Sequence, residues 1–304
     1  GDIERLLQDT LQCTASRVED LAQLCLAKTQ GNPFFLNQFL KVLVEKQMLF
    51  RDAVGGEWNW NAASIGETTI TDNIVSRLVG KLQTLKPETQ RVLQGAACLG
   101  NIFDLKTLAV VCEMPETEAA KVLWPALEEE MLIPLDNNYK YAKQAGHDAK
   151  LGLIAHFRFQ HDRVQQAAYQ LSEESKRTSV HLAIGRLWSK SLTSEEMQVR
   201  LLDVVNHLNI GKSLITDQDE RWQLAHFNLK AAMRAKTSAA YKPALTYAQT
   251  AIELVDEADW QTHYEFMLAL YLEAAEDAYL SVAQVEMEKY IEAALRHTRD
   301  SLDT

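Results

Sequence analysis

Three short stretches hold the side chains best suited to chemistry: Gly31-Asn32-Pro33, His161-Asp162 and Gly211-Lys212-Ser213. Gly-Lys-Ser ends the phosphate-binding loop G-x-x-x-x-G-K-[ST], in which a strand, a glycine-rich cradle and a helix N-terminus aim N–H groups at phosphates. Here Asn206 stands where the first glycine is required, and the preceding VRLLDVVNHLN reads as helix. The stretch is therefore excluded as a phosphate loop. His161-Asp162 comes without a nucleophile, since the chain has no G-x-S-x-G elbow and no kinase H-R-D or D-F-G element. His156 and His161 are five residues apart across a strand-to-helix junction, a poor geometry for a shared metal. No self-contained active site is legible.

Binding chemistry remains. Gly31 fits the end of one helix, and Pro33 the first position of the next, where its missing N–H costs nothing. Such a turn can serve only to join two helices, or it can present Asn32 and Pro33 to a ligand. His161 opens FRFQHDRVQQAAY at 157–169. There an imidazole either caps the helix or donates to an anionic phosphate, a charge-assisted bond worth roughly 1.5–3 kcal/mol.

The elements that must position these residues are mostly helical. In VEDLAQLCLAK the apolar residues Val18, Leu21, Leu24, Cys25 and Ala27 recur at helical spacing, and after the turn Phe35, Phe39, Val42 and Leu43 do the same. Residues 51–69 read as a short hairpin or loop around Gly55-Gly56, flanked by Trp58 and Trp60. Short helices follow: TDNIVSRLVGKLQTL, PETQRVLQGAACLG, LKTLAVVCEM (opened by Phe103-Asp104-Leu105) and PETEAAKVLWPALEEEMLI. Two strands at 132–136 and 153–159, bridged by a polar insertion, complete the pattern of a winged helix. From about Glu195 onward only helix-turn-helix patterning remains. Ala232, Ala244 and Ala251 fall where tetratricopeptide repeats place small residues, with Tyr241, Tyr247 and Leu254 at the larger positions, although no strict 34-residue period is kept.

Composition narrows the function classes. Among 304 residues, 12 Gly and 6 Pro leave little room for long loops, and the net charge of -11 argues against wrapping nucleic acid or lying on an anionic membrane. The helix PETEAAKVLWPALEEE, third of the winged helix, carries five Glu against one Lys and would be repelled by DNA phosphates. Cys13, Cys25, Cys98 and Cys112 form no C-x-x-C pair and read as buried thiols in a reducing compartment. No apolar run reaches the ~18–20 residues that span a bilayer, and no signal-peptide pattern opens the chain. The expected compartment is the cytoplasm, with no nucleic-acid or membrane partner.

TQGNPFFLNQFL, WNW, TDNIVSRLVGKLQTL, TQRVLQGAACLGNIFDLKTLAVV, FQHDRVQQAAY and AKTSAAYKPALTYAQTAIELV, in this order, resemble the corresponding stretches of bacterial multidomain signalling kinases. Those proteins join a Ser/Thr kinase, a STAND-type AAA ATPase, a tetratricopeptide-like helical region, a GAF sensor and a histidine kinase. The resemblance implies a mainly α chain: a helical lid at 1–63, a winged helix at 64–175, and a helical linker with tetratricopeptide-like α-hairpin repeats at 176–304. It also implies that Gly31, Asn32 and Pro33 lie against the adenine, and that His161 reaches the β-phosphate of ADP and holds a closed, inactive state. ATP or ADP, with Mg, would be held by an upstream nucleotide-binding core of the same chain and not by this segment alone. The helical repeats would engage a protein partner or the kinase domains, and the kinase activity would belong to the parent protein. The chain departs from the family pattern at Asn61, which follows Trp-x-Trp, and at Glu130-Met131, where glycine is common. Two alternatives stay open: a tetratricopeptide-like scaffold with no nucleotide role, and part of a winged-helix transcriptional regulator.

Overall fold

The computed structural model describes residues 1–52, 56–67, 80–140 and 154–298, in two compact units, Gly1–Ser172 and Glu173–Thr304. The chain is mainly α, as expected.

The first unit begins with α1 (Asp2–Leu11), α2 (Ala15–Thr29) and α3 (Pro33–Glu45). Strands β1 (Leu49–Arg51) and β2 (Trp58–Trp60) pair antiparallel, Leu49 opposite Trp60, before α4 (Ala62–Glu67). Arg17 of α2 fixes this hairpin, donating to Glu57 Oε2 at 2.6 Å, to the Trp58 carbonyl at 3.1 Å and to Asn59 Oδ1 at 3.0 Å. Of the expected helix at 71–85, positions 71–79 lie outside the described residues, while 80–84 is helical.

Next come α5 (Pro87–Leu99), β3 (Ile102–Asp104), α6 (Leu105–Val111), α7 (Glu116–Glu128), β4 (Leu132–Pro134), β5 (His156–Phe159) and α8 (Asp162–Leu171). The sheet has three strands in the order β3-β5-β4, all antiparallel, not the two expected. Asn101-Ile102-Phe103-Asp104 does not simply open a helix. Phe103 pairs with Phe157 of β5, and Asp104 ends the strand while its Oδ1 accepts from the Thr107 N–H at 2.7 Å to cap α6. The bridge between β4 and β5 is described only to residue 140.

One hydrophobic core runs through the unit. It takes Leu7, Leu21, Phe39, Leu43 and Ile65 from the first part and Leu93, Phe103, Leu123, Phe157 and Phe159 from the second. Phe103 lies between Phe157 and Phe159, with ring centroids 5.8 and 5.7 Å away. Burying each such ring stabilises by roughly 1.5–3 kcal/mol. The two parts therefore share one core. Of the thiols, Cys25 and Cys98 are buried, whereas Cys13 and Cys112 are only half-buried, a correction to the expectation for all four.

The second unit is a series of helices: α9 (Glu174–Ser191), α10 (Ser194–Ile210), a 3₁₀ turn (Lys212–Leu214), α11 (Gln218–Thr237), α12 (Tyr241–Leu254), α13 (Asp259–Thr262), α14 (Tyr264–Leu280) and α15 (Gln284–His297). Ala232, Ala248, Ala274 and Ala278 are fully buried where α11, α12 and α14 meet, the small side chains allowing close helix approach. The turns of the α11–α12 and α14–α15 hairpins match: Ala239 and Val282 both take a left-handed conformation, and the N–H of the next residue returns to the Ala235 and Ala278 carbonyls respectively. Gly211-Lys212-Ser213 follows a helix, and Lys212 pairs with Glu253. Its glycine answers a packing demand, because a Cβ there would stand 2.6 Å from Leu182 Cβ.

Between α9 and α10, Nδ1 of His181 and Nδ1 of His207 lie 2.8 Å apart, so one carries the hydrogen and donates while the other accepts. Burial, helped by nearby His181 and Arg200, pushes His207 down to about 4; burial and Arg177 push His181 down as well. Both folded values lie below the ordinary 6.5, so the unfolded chain binds protons first. The pair's contribution is complete above that value and lost as pH falls toward 4. Relative to His207→Gln, the wild-type stability in urea is expected to fall by about 2 kcal/mol between pH 7.5 and pH 5. Equal slopes for the two proteins would contradict it.

Candidate functional site: the junction of two helix N-termini

Helix α2 stops through two consecutive residues with positive φ. Gln30, at φ 52°, is its C-cap and returns its N–H to the Leu26 carbonyl, and Gly31 follows at φ 77°. The cap is thus Gln30 and not Gly31, whose conformation nonetheless suits glycine alone. Asn32 then starts α3: its Oδ1 accepts from the Phe35 N–H at 3.3 Å, its carbonyl from the Leu36 N–H at 2.9 Å, and Pro33 occupies the first helical position. Gly31, Asn32 and Pro33 are all exposed, and so is Leu26, whose Cδ1 lies 3.7 Å from where a Gly31 Cβ would point. The turn is fully accounted for as a helix–helix joint, yet it also holds an apolar shelf open to solvent. Asn32→Ala is expected to cost the first unit about 1 kcal/mol through the lost cap; urea denaturation measures it.

His161 stands two residues after β5 and caps α8, its Nδ1 accepting from the Arg163 N–H at 3.1 Å. Capping and donation to a ligand are compatible, because Nδ1 serves as acceptor and the neutral ring then carries its hydrogen on Nε2. The His161 and Phe35 rings meet edge to face with centroids 4.9 Å apart. Phe35 belongs to the first turn of α3, so the N-termini of α3 and α8 lie side by side. Each helix N-terminus favours an anion through its own dipole. Asp162, exposed in the first turn of α8, opposes this in part.

Beside the junction a cleft of about 280 Å³ is lined by Asn37, Gln38, Leu127, Glu130, Ile133 and Gln160. Glu130 takes φ 57°, a left-handed conformation of the kind that favours glycine. Its Oε2 accepts from Gln38 Nε2 at 3.0 Å and Lys41 Nζ at 2.7 Å, tying α3 to the end of α7. His156, by contrast, stands on β5 with its Nδ1 3.0 Å from Asp136 Oδ2 and takes no part in the junction. Phe35 read as one of a core series, and nothing in its periodicity marked its half-buried ring as the partner of His161.

The junction combines an imidazole, the first turns of two helices and, at the adjoining α2–α3 turn, the exposed Leu26 and Pro33. It offers no phosphate cradle. Among the described residues no cluster of three or more His, Cys, Asp or Glu is arranged to hold a metal ion, and no helix is long and apolar enough to cross a membrane.

No family model matches the chain. Among curated proteins it is 27% identical over 343 aligned positions to Hybrid signal transduction histidine kinase G of Dictyostelium discoideum, a match covering 98% of this chain and 10% of that protein. The chain thus spans a tenth of the length of the curated relative it matches. That organism is not a bacterium, so the bacterial origin implied by the sequence resemblance gains no support from it.

Proposed function

We propose that residues 1–304 form the regulatory part of a STAND-type ATPase within a multidomain signalling kinase. In this reading 1–63 is the lid, 64–175 the winged helix and 176–304 the linker and tetratricopeptide-like repeats. The observation that carries it is the meeting of the first turn of α3 with His161, which brings residues far apart in sequence to one anion-favouring junction. The relative's name supports the signalling-kinase setting.

The function then rests on what these side chains do. Pro33 and the exposed Leu26 offer flat apolar surface to a purine. His161 Nε2–H donates to a β-phosphate oxygen, with the α3 and α8 N-termini adding favourable potential. Because lid and winged helix share one core, Pro33 and His161 move together. Release is therefore a motion of this body against an α/β core that supplies the phosphate loop and Mg. Retention of ADP favours the closed arrangement, exchange for ATP the open one, and the helical repeats pass the change to a partner or to kinase domains.

Calorimetry provides the test. The 304-residue segment is expected to bind ADP and ATP weakly or not at all, and a longer polypeptide that includes the core to bind tightly. Tight, stoichiometric binding by the segment alone would contradict the reading.

A scaffold reading draws on a different observation. A groove of about 440 Å³ on the second unit is lined by Asn206, Asn209, Ile210, Pro243, Thr246 and Tyr247, a surface suited to a protein partner. The two readings part over nucleotide, and a parent protein that binds none would leave the scaffold.

A further inference from the structure

Helix α14 carries the least satisfied polar group among the described residues. Asp277 is fully buried, and neither of its carboxylate oxygens has a hydrogen-bond partner. One turn earlier Glu273 is buried too, and its Oε1 is likewise unpartnered. The nearest cation does not resolve this. Lys236 of α11 gives its ammonium to Glu273 Oε2 at 2.8 Å and to Glu276 Oε2 at 2.7 Å. On α14 the residues flanking Asp277 belong to an alanine-rich core: Ala232 from α11, Ala248 from α12, and Ala274, Ala275 and Ala278 from α14 itself, with Leu245 and Tyr290.

A bare carboxylate in such surroundings costs several kcal/mol, whereas a neutral acid with one acceptor costs little. Asp277 and Glu273, four residues apart on one helix face, can share a hydrogen. We propose that Asp277 and Glu273 form a proton-binding site inside the helical repeats, in which protonated Asp277 donates to Glu273 Oε1 and so completes the packing of α14. Losing that proton places a second negative charge beside Glu273 and loosens α14 from α11 and α12. The charged groups acting on Asp277 are Glu273 and Glu276, which favour the proton, and Lys236, which opposes it. Tyr290 of α15, and Tyr247 of α12 and Tyr271 of α14 packed against the cluster, are the other titratable side chains of this core. Burial, then Glu273, raises the Asp277 carboxyl to about 7, with Lys236 working the other way. The site therefore changes state close to neutrality.

The folded carboxyl value lies above the unfolded one of 3.8, so the folded state holds the extra proton between the two. The stability this contributes is present at acid pH, declines as pH rises through the window, and levels off above about 7. Asp277→Asn keeps a donor toward Glu273 and removes the titration. Urea unfolding of the whole chain at pH 4.5 and pH 8 is the experiment. Relative to Asp277→Asn, the wild-type folding equilibrium constant is expected to drop on the order of 100-fold across that range. The histidine pair of α9 and α10 titrates in both proteins and cancels in the comparison. A wild-type-to-variant ratio independent of pH would overturn the proposal. Should the variant fail to fold, the carboxyl ¹³C shift of Asp277 in the wild type decides: a midpoint near 7 supports the site, and one near the ordinary carboxylate value overturns it.

Discussion

His161→Ala, in a polypeptide that also carries the nucleotide core, is expected to speed ADP release by about ten- to a hundredfold and to raise basal output. A charge-assisted hydrogen bond is worth roughly 1.5–3 kcal/mol, and each 1.4 kcal/mol is tenfold in affinity. Alanine also removes the Nδ1 cap on α8, so part of any effect would come from a frayed helix. His161→Asn separates the two roles. Asparagine is a good N-cap, but its amide ends short of where Nε2 reaches. Its expected outcome is near wild-type thermal stability with ADP release as fast as in the alanine variant. Slow release from His161→Asn would show that capping is all the imidazole does. Stopped-flow displacement of a fluorescent ADP analogue reads both rates.

Gly211→Ala is expected to destabilise the second unit by about 3 kcal/mol, the upper part of the usual range for overpacking. The added Cβ would lie 2.6 Å from Leu182 Cβ, 3.0 Å from its Cα and 3.2 Å from its backbone N. Main-chain atoms cannot rotate away, so either α9 or the turn after α10 must move. Gly185 makes a similar approach to Leu208, but the closest atoms there are side-chain Cδ2 at 2.6 Å and Cγ at 2.7 Å, which can repack in part. Gly66, with nothing within 4 Å of its Cβ position, is the control, and Gly66→Ala should stay within about 0.5 kcal/mol of wild type. Urea unfolding measures all three. An unchanged midpoint for Gly211→Ala would mean that the close passage of α9 past this glycine is not present in solution.

The residues that resemble a phosphate loop thus have another explanation, and the reason shows what the sequence could convey. Helical periodicity placed α2, α3 and α8 well, because each buries a regular apolar stripe and each ends in a residue with a local job: Gln30 and Gly31 in positive φ, Asn32 and His161 as caps. Strand β3 escaped notice because three residues are too few to show alternation, and because Asp104 serves both the strand and the following helix. The side-by-side placement of Phe35 and His161 is a tertiary fact that no local pattern encodes; only the family resemblance suggested that the α2–α3 turn and His161 belong to one site. Glu130 could be seen to depart from a glycine position, but its tether to Gln38 and Lys41 depends on helix packing. Asp277 sits in EAAEDAYL, where three acids among alanines look like a solvated helix face. Only the burial of Asp277 distinguishes it, and burial is set by α11 and α12 lying across that face.

The most direct measurement is the structure of a longer polypeptide, nucleotide core included, with ADP bound. The account predicts His161 Nε2 within hydrogen-bond distance of a β-phosphate oxygen, Nδ1 still accepting from the Arg163 N–H, and Pro33 packed against the purine. ADP seated in its core with His161 and Pro33 both facing solvent would contradict it.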